Sequence, residues 1–243
     1  MTRSAGSGGL ADPVLIERPS PNFDSRRGRA VDMILIHYTG MQSAAESLDR
    51  LCDPAAKVSA HYLIEEDGAV HRMVGENDRA WHAGVGRWAG ETDINAISIG
   101  IELQNPGHEF GYRPFPPPQI AALTRLLDGI RTRHDVPNRR ILGHSDVAPE
   151  RKEDPGELFP WAALAAAGHG TWAETGGAPA SEDEAMAALT RIGYGLQSTT
   201  APDLSGAVIL AFQRHYLPGG LSGRLDLATA SRICEIAAAM FDE

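Results

Sequence analysis

Three apolar runs too short for helices constrain the fold most: Val31–His37, Ile97–Leu103 and Arg139–Leu142. Runs of this length bounded by turn residues read as buried strands. Helical periods lie between them. Ser43–Leu51 reads as a helix, with Ser43 at the N-cap and Glu46 three residues later in a capping box. Pro116-Pro117-Pro118 introduces a second helix to about His134, in which Ile120, Leu123, Leu127 and Ile130 make one apolar stripe. Ala60–Ile64 and Ala69–Val74 flank Glu65-Glu66-Asp67-Gly68 and read as a hairpin closed by an Asp-Gly turn, and Pro160–Ala166 reads as a closing helix. Strands interleaved with helices predict a mixed α/β fold.

The second run also carries a side preference. In a strand over Ile97–Leu103, Ile97, Ile99 and Ile101 share one face while Ser98, Gly100 and Glu102 share the other. Glu102 is thereby turned from the isoleucine face towards a side that can host a cleft. His37 ends the first strand, His144 follows the third, and Asp154 lies in Arg151–Gly156, so two histidines and a carboxylate stand where strands stop and loops begin. Such a set can bind zinc, and three protein ligands leave a fourth position open for water, as in a catalytic site. Each residue also has a plain structural reading, a satisfied polar group at a strand end or, for Asp154 before Pro155-Gly156, a turn residue. No H-E-x-x-H is present, since the His108-Glu109 pair continues Phe110-Gly111-Tyr112. Gly143-His144-Ser145-Asp146-Val147 approaches the G-x-S-x-G elbow, but Val147 stands where the tight turn needs glycine, so Ser145 is not the expected nucleophile.

The 243-residue length suits two domains. Residues 1–29 are expected to be an extended N-terminal segment and 30–167 the first domain. Gly168–Ser181, rich in Gly, Ala, Thr and Pro, is expected to be a flexible linker, and 182–243 carries three short helical patterns. A net charge of −10, from 22 basic and 32 acidic residues, argues against nucleic acid or an anionic membrane surface as partner. It favours a neutral or weakly charged ligand. Cys52 and Cys234, one per expected domain, are expected to be free thiols. Met1–Leu10 lacks the apolar stretch of a signal peptide and no later run approaches a membrane span. A soluble chain is expected, cytoplasmic by that criterion, or periplasmic or wall-associated if it is a mature form.

Over residues 30 to about 165 the chain resembles the zinc-dependent type 2 N-acetylmuramoyl-L-alanine amidases, which share their fold with peptidoglycan recognition proteins. The matching pieces keep the family's order: the His37 strand, Val58–Ile64 with Asp67-Gly68, Ala80-Trp81-His82-Ala83-Gly84, Asn95, Ser98–Glu102, the His144 segment and Lys152-x-Asp154-Pro155-Gly156. The resemblance implies a mixed central β-sheet flanked by helices, with Zn2+ held by His37, His144 and Asp154. Aspartate at 154 excludes the subgroup with cysteine as third ligand. It implies Glu102 as general base and Lys152 beside the developing oxyanion, and places His61, Trp81, His82 and Asn95 in the substrate-binding cleft. A second zinc site from His61 and His82 would lack an accompanying Cys or carboxylate motif. The implied reaction is hydrolysis of the amide between N-acetylmuramic acid and L-alanine in peptidoglycan or muropeptide fragments, without an organic cofactor. A recognition protein that binds such fragments uncut is the rival class, and a zinc amidase acting on an unrelated peptide a third. Ala207–Tyr216 followed by Gly223-Arg224-Leu225-Asp226-x-x-Thr229 resembles the three-helix peptidoglycan-binding module of wall hydrolases. The other reading of these residues is a helical bundle that stabilises the enzyme.

Overall fold

The run Met33–Tyr38 is apolar without alternation because its strand lies inside a sheet covered on both faces. The structure, a computed structural model, describes residues 13–174, 176, 178–195 and 202–241, the last stretch with side chains from 206 onward. The strands are β1 (Leu15–Glu17), β2 (Phe23–Ser25), β3 (Met33–Tyr38), β4 (Tyr62–Ile64), β5 (Val70–Arg72), β6 (Asp78–Ala80), β7 (Ser98–Leu103) and β8 (Ile141–Gly143). Six form one sheet in the order β1-β5-β4-β7-β3-β8, mixed because β4 and β5 run antiparallel while the other neighbours are parallel. β2 and β6 pair separately. The helices are α1 (Ala44–Cys52), α2 (Ile94–Ile97), α3 (Gly107–Phe110), α4 (Pro117–Arg133), α5 (His144–Val147), α6 (Trp161–Ala166), α7 (Glu182–Ile192), α8 (Pro202–Tyr216) and α9 (Leu227–Phe241).

Local signals act as expected. Ser43 Oγ accepts from the Glu46 N–H at 3.2 Å, capping α1. α4 starts on prolines, whose missing N–H groups would have no helical partner there. The Glu65–Gly68 turn closes the β4–β5 hairpin, and Asp67 Oδ1 accepts from the Ala69 N–H at 2.9 Å. Two strand starts differ. Ile94–Ile97 closes as a helical turn, so the strand begins at Ser98 and Ile97 joins the core opposite Ile99 and Ile101. Asn138–Arg140 winds into a 3-10 turn, which leaves Ile141–Gly143 as the strand before His144.

The two sheet faces carry two cores. Ile34, Ile36, Ile99, Ile101 and Leu103 pack with Leu123, Leu127 and Ile130 of α4 and Leu164 of α6. Met33, Leu35 and Leu142 pack instead with Trp88 and with Leu189, Phe212 and Ile233 from the C-terminal helices, all in one apolar cluster. The segment 168–181 has no helix or strand among its described residues, in keeping with a connector, yet it is not a loose tether. Trp172 lies against the Arg232 guanidinium, 4.6 Å from the ring centroid, and the Ala173 carbonyl accepts from Arg232 Nη1 at 2.7 Å. Helices too few to bury their own apolar surface use the sheet face as cover.

Residues 1–12 of the expected N-terminal extension lie outside the described residues. From Pro13 the chain is extended and paired, β1 with β5 and β2 with β6. Cys52 and Cys234 are free. Among the described residues no helix is long and apolar enough to cross a membrane.

Candidate active site

On β3, His37 has the parity of Met33 and Leu35, and the parallel register sets Glu102 of β7 directly beside it. His144 opens α5 immediately after β8. The Ser145 N–H donates to the Asp154 carbonyl at 2.9 Å, tying the two loops together. Beyond Asp154 the chain turns at Gly156, whose φ of +81° is a conformation that favours glycine. Tyr112 roofs that turn, its hydroxyl donating to the Pro155 carbonyl at 2.6 Å.

These supports bring His37, His144 and Asp154 together, all buried. His37 Nδ1 lies 3.0 Å from His144 Nδ1 and 3.0 Å from Asp154 Oδ2, and His144 Nδ1 lies 3.1 Å from Asp154 Oδ2. The outer hydrogen bonds decide which atoms these are chemically. Ser98 Oγ donates to the Ile94 carbonyl at 2.6 Å, so its oxygen is left to accept from His82 Nε2 at 3.3 Å. Burial, with His37 nearby, holds the His82 pKa well below its ordinary value, so its ring carries one proton and Nδ1 accepts. His37 Nε2 therefore donates to it across 3.0 Å. Burial, with His144 beside it, also lowers the His37 pKa to about 4, which leaves Nδ1 a bare lone pair at neutral pH. Burial works to raise the Asp154 pKa, but His144 and His37 outweigh it and hold the carboxyl well below the usual range. A lone pair thus faces a carboxylate oxygen at 3.0 Å, acceptor against acceptor, which calls for a cation. His144 Nε2 donates to the Ala83 carbonyl at 2.9 Å and so aims Nδ1 at the same point. Tetrahedral zinc sets its ligand atoms about 3.3 Å apart, close to the observed triangle, so the residues fit that ion. Among the described residues no other such group of His, Cys, Asp or Glu converges.

The triangle forms part of the wall of a cleft of about 670 Å³, also lined by Glu102, Lys152, Trp81 and His82. Glu102 Oε2 is buried without a hydrogen-bond partner. Burial, then the Asp154 charge, raises the Glu102 pKa well above its ordinary value, against the opposing Lys152. This is a carboxyl disposed to hold a proton.

His61 and Asn95, expected in the cleft, are buried and are not among its lining residues. His61 is enclosed beside His82, the ring centroids 5.7 Å apart: Nδ1 accepts from the Gly100 N–H at 3.0 Å, Nε2 faces the Asp78 carbonyl at 3.1 Å, and burial with the adjacent Arg26 lowers its pKa to about 3. Asn95 Oδ1 accepts from the backbone N–H of His82 at 3.1 Å and of Ala83 at 2.8 Å, fixing the segment whose carbonyl orients His144. Sequence reasoning missed Arg26. Its buried guanidinium donates to the carbonyls of Glu76, Ala96 and Ser98 at 2.8, 2.9 and 2.9 Å, joining the N-terminal segment to the start of β7. Arg26 is one of three arginines in Arg26-Arg27-Gly28-Arg29, and nothing in that polar stretch singles it out.

Gly100 shows how tightly the His82 support is packed, because a Cβ there would lie 2.5 Å from His82 Nδ1. Gly100→Ala should push that ring from behind His37. Loss of such an outer partner typically costs about 10–100-fold in metal affinity, to be read by chelator competition. Unchanged zinc affinity would show that His82 does not support the ligand.

The sequence profile of the family described as N-acetylmuramoyl-L-alanine amidase matches residues 27–157. N-acetylmuramoyl-L-alanine amidase AmiD of Escherichia coli is 33% identical, the alignment covering 92% of this chain and 90% of AmiD. 1,6-anhydro-N-acetylmuramyl-L-alanine amidase AmpD of Haemophilus influenzae is 35% identical over 58% of this chain and 85% of its own length. The structure of Escherichia coli AmiD with anhydro-N-acetylmuramic acid-L-Ala-D-gamma-Glu-L-Lys superposes with a TM-score of 0.77 at 33% identity, covering 93% of this chain and 92% of that one. AmpDh3 of Pseudomonas aeruginosa, in complex with anhydromuramic pentapeptide, gives a TM-score of 0.77 at 30% identity and covers 99% of this chain and 98% of its own. The profile match spans more than half of the sequence and the AmiD likeness runs through the C-terminal helices as well; the chain belongs to the N-acetylmuramoyl-L-alanine amidase family.

Proposed function

We propose that this protein hydrolyses the amide bond between the lactyl group of N-acetylmuramic acid and the L-alanine of the stem peptide, in peptidoglycan or its released muropeptides. One observation carries the reading: the His37, His144 and Asp154 acceptor atoms converge on one point in a cleft that also holds Glu102. The ligand complexes of AmiD and AmpDh3 support the substrate class. Zinc held by those three side chains would polarise the scissile carbonyl and lower the pKa of its water to about 7. Glu102 takes a proton from the attacking water and returns it to the leaving nitrogen of L-alanine as the C–N bond breaks, so one carboxyl serves both half-reactions. Its raised pKa suits the second task. Lys152 offers positive charge to the carbonyl oxygen as it becomes an oxyanion. Trp81, on the cleft wall, offers an apolar face to the sugar or the peptide. His82, Asn95 and His61 act from behind, keeping ligands and backbone in place. Residues 30–167 carry the chemistry in this reading, and 182–243 form a peptidoglycan-binding unit by their sequence resemblance.

The test is mass spectrometry of products from purified sacculi and from a soluble anhydro-muropeptide, with and without zinc. The expected products of the soluble substrate are the free stem peptide and the peptide-free sugar, formed only with zinc. Binding without cleavage would favour a recognition protein, and scission elsewhere in the muropeptide would overturn the assigned bond.

A further inference from the structure

Asp146 stands two residues beyond His144 and is buried, yet its carboxylate accepts from three donors. The Gly143 N–H reaches Oδ2 at 2.8 Å, His215 Nδ1 reaches Oδ2 at 2.7 Å and the Tyr194 hydroxyl reaches Oδ1 at 2.6 Å. Only the first is local. Tyr194 follows α7 and His215 lies in the last turn of α8, so two of the three donors come from the C-terminal helices. Both are buried, and the His215 ring is stacked on Trp161 at 3.7 Å and on Tyr216 at 3.8 Å between centroids. Burial, with the Asp146 charge beside it, keeps the Tyr194 hydroxyl protonated as a donor. The other ligand loop is gripped by the same helix, since Arg214 Nη2 donates to Glu153 Oε1 at 2.9 Å, next to Asp154. Ala207, Leu210 and Arg214 of α8 also line the cleft.

We infer that Tyr194 and His215 are positioning residues for the metal centre: they hold Asp146, and through it the short α5 turn, so that His144 presents Nδ1 to His37 and Asp154. The inference rests on the zinc amidase reading above. Its physical basis is the cost of a buried carboxylate that loses its donors, which a four-residue turn can escape by moving towards water. A cover that only stabilised the sheet would need apolar contacts here. Two polar side chains aimed at one carboxylate do something narrower: they fix the angle at which His144 leaves β8. The C-terminal helices are then a working part of the catalytic site whether or not they also bind the wall.

The full-length protein is compared with Tyr194→Phe, His215→Asn and the double variant Tyr194→Phe/His215→Ala. Zinc affinity is measured by chelator competition and kcat on a soluble anhydro-muropeptide at saturating zinc, both well below the melting temperature of each variant. The double variant should bind zinc about ten-fold more weakly and lose kcat with little change in KM. His215→Asn, whose amide N–H falls near the place of Nδ1, should recover most of both. A folded double variant with wild-type zinc affinity and kcat overturns the inference, however far its melting temperature drops. If the double variant does not fold, Tyr194→Phe decides, with about three-fold weaker zinc binding expected and no change counting against it. Wild-type protein that binds no zinc overturns the amidase reading and this inference together, an outcome seen without any variant.

Discussion

Asp154→Ala is expected to remove bound zinc and amide hydrolysis together. The carboxylate is the single anionic member of the triangle, and its Oδ2 lies within 3.1 Å of both histidine nitrogens, so no neighbouring acid replaces it among the converging atoms. A metal ion that polarises a carbonyl supplies several kcal/mol to the transition state, so its loss should lower turnover by about 10³-fold or more. The substitution removes the buried carboxylate, and His37, neutral above a pKa of about 4, is not left as an unpaired charge. The variant should therefore fold, and circular dichroism with elemental analysis will separate lost metal from lost structure. One zinc per chain with near-normal turnover would mean that the ligand set is wrong.

Glu102→Gln should give the complementary result, metal retained and chemistry lost. The amide keeps the size of the side chain beside His37 but cannot carry a proton from water to the leaving nitrogen, a service typically worth about 10²–10⁴-fold. Because Glu102 is not among the converging ligand atoms, zinc content should stay near one per chain. KM for a soluble muropeptide should change little beside kcat, as expected when the missing interaction acts only in the transition state. Turnover within a few-fold of wild type would remove Glu102 from the mechanism and direct attention to Lys152 or His82 on the same cleft wall.

The strands, the capped α1 and the Asp-Gly hairpin were legible in the sequence because each is written locally, as an apolar run, a cap or a turn pair; that His37, His144 and Asp154 converge came from the family resemblance, since their spacing alone is a weak signal. The side on which Glu102 falls followed from strand parity alone. What escaped detection depends on contacts distant in sequence. His61 and Asn95 belong to recognisable segments, but whether a side chain opens into a cleft or is sealed behind it depends on what packs over it. For His61 that is Arg26, from a segment with no signal of its own. In 168–181 the composition gives no sign of the contact between Trp172 and Arg232, which are far apart in the chain. The donors to Asp146 lie 48 and 69 residues further on, beyond the reach of any local pattern.

The shared core on the second face of β3 has a consequence for biosynthesis. A ribosome releases Met33 and Leu35 early and Phe212 and Ile233 late, so the nascent chain carries an uncovered apolar sheet face through most of its synthesis. The face is sealed only when the last helices arrive, and the same event delivers Tyr194 and His215 to Asp146. A chain interrupted before that point would present a sticky surface and an unbraced ligand loop at once, marking it for chaperones or proteases before it could act on any wall.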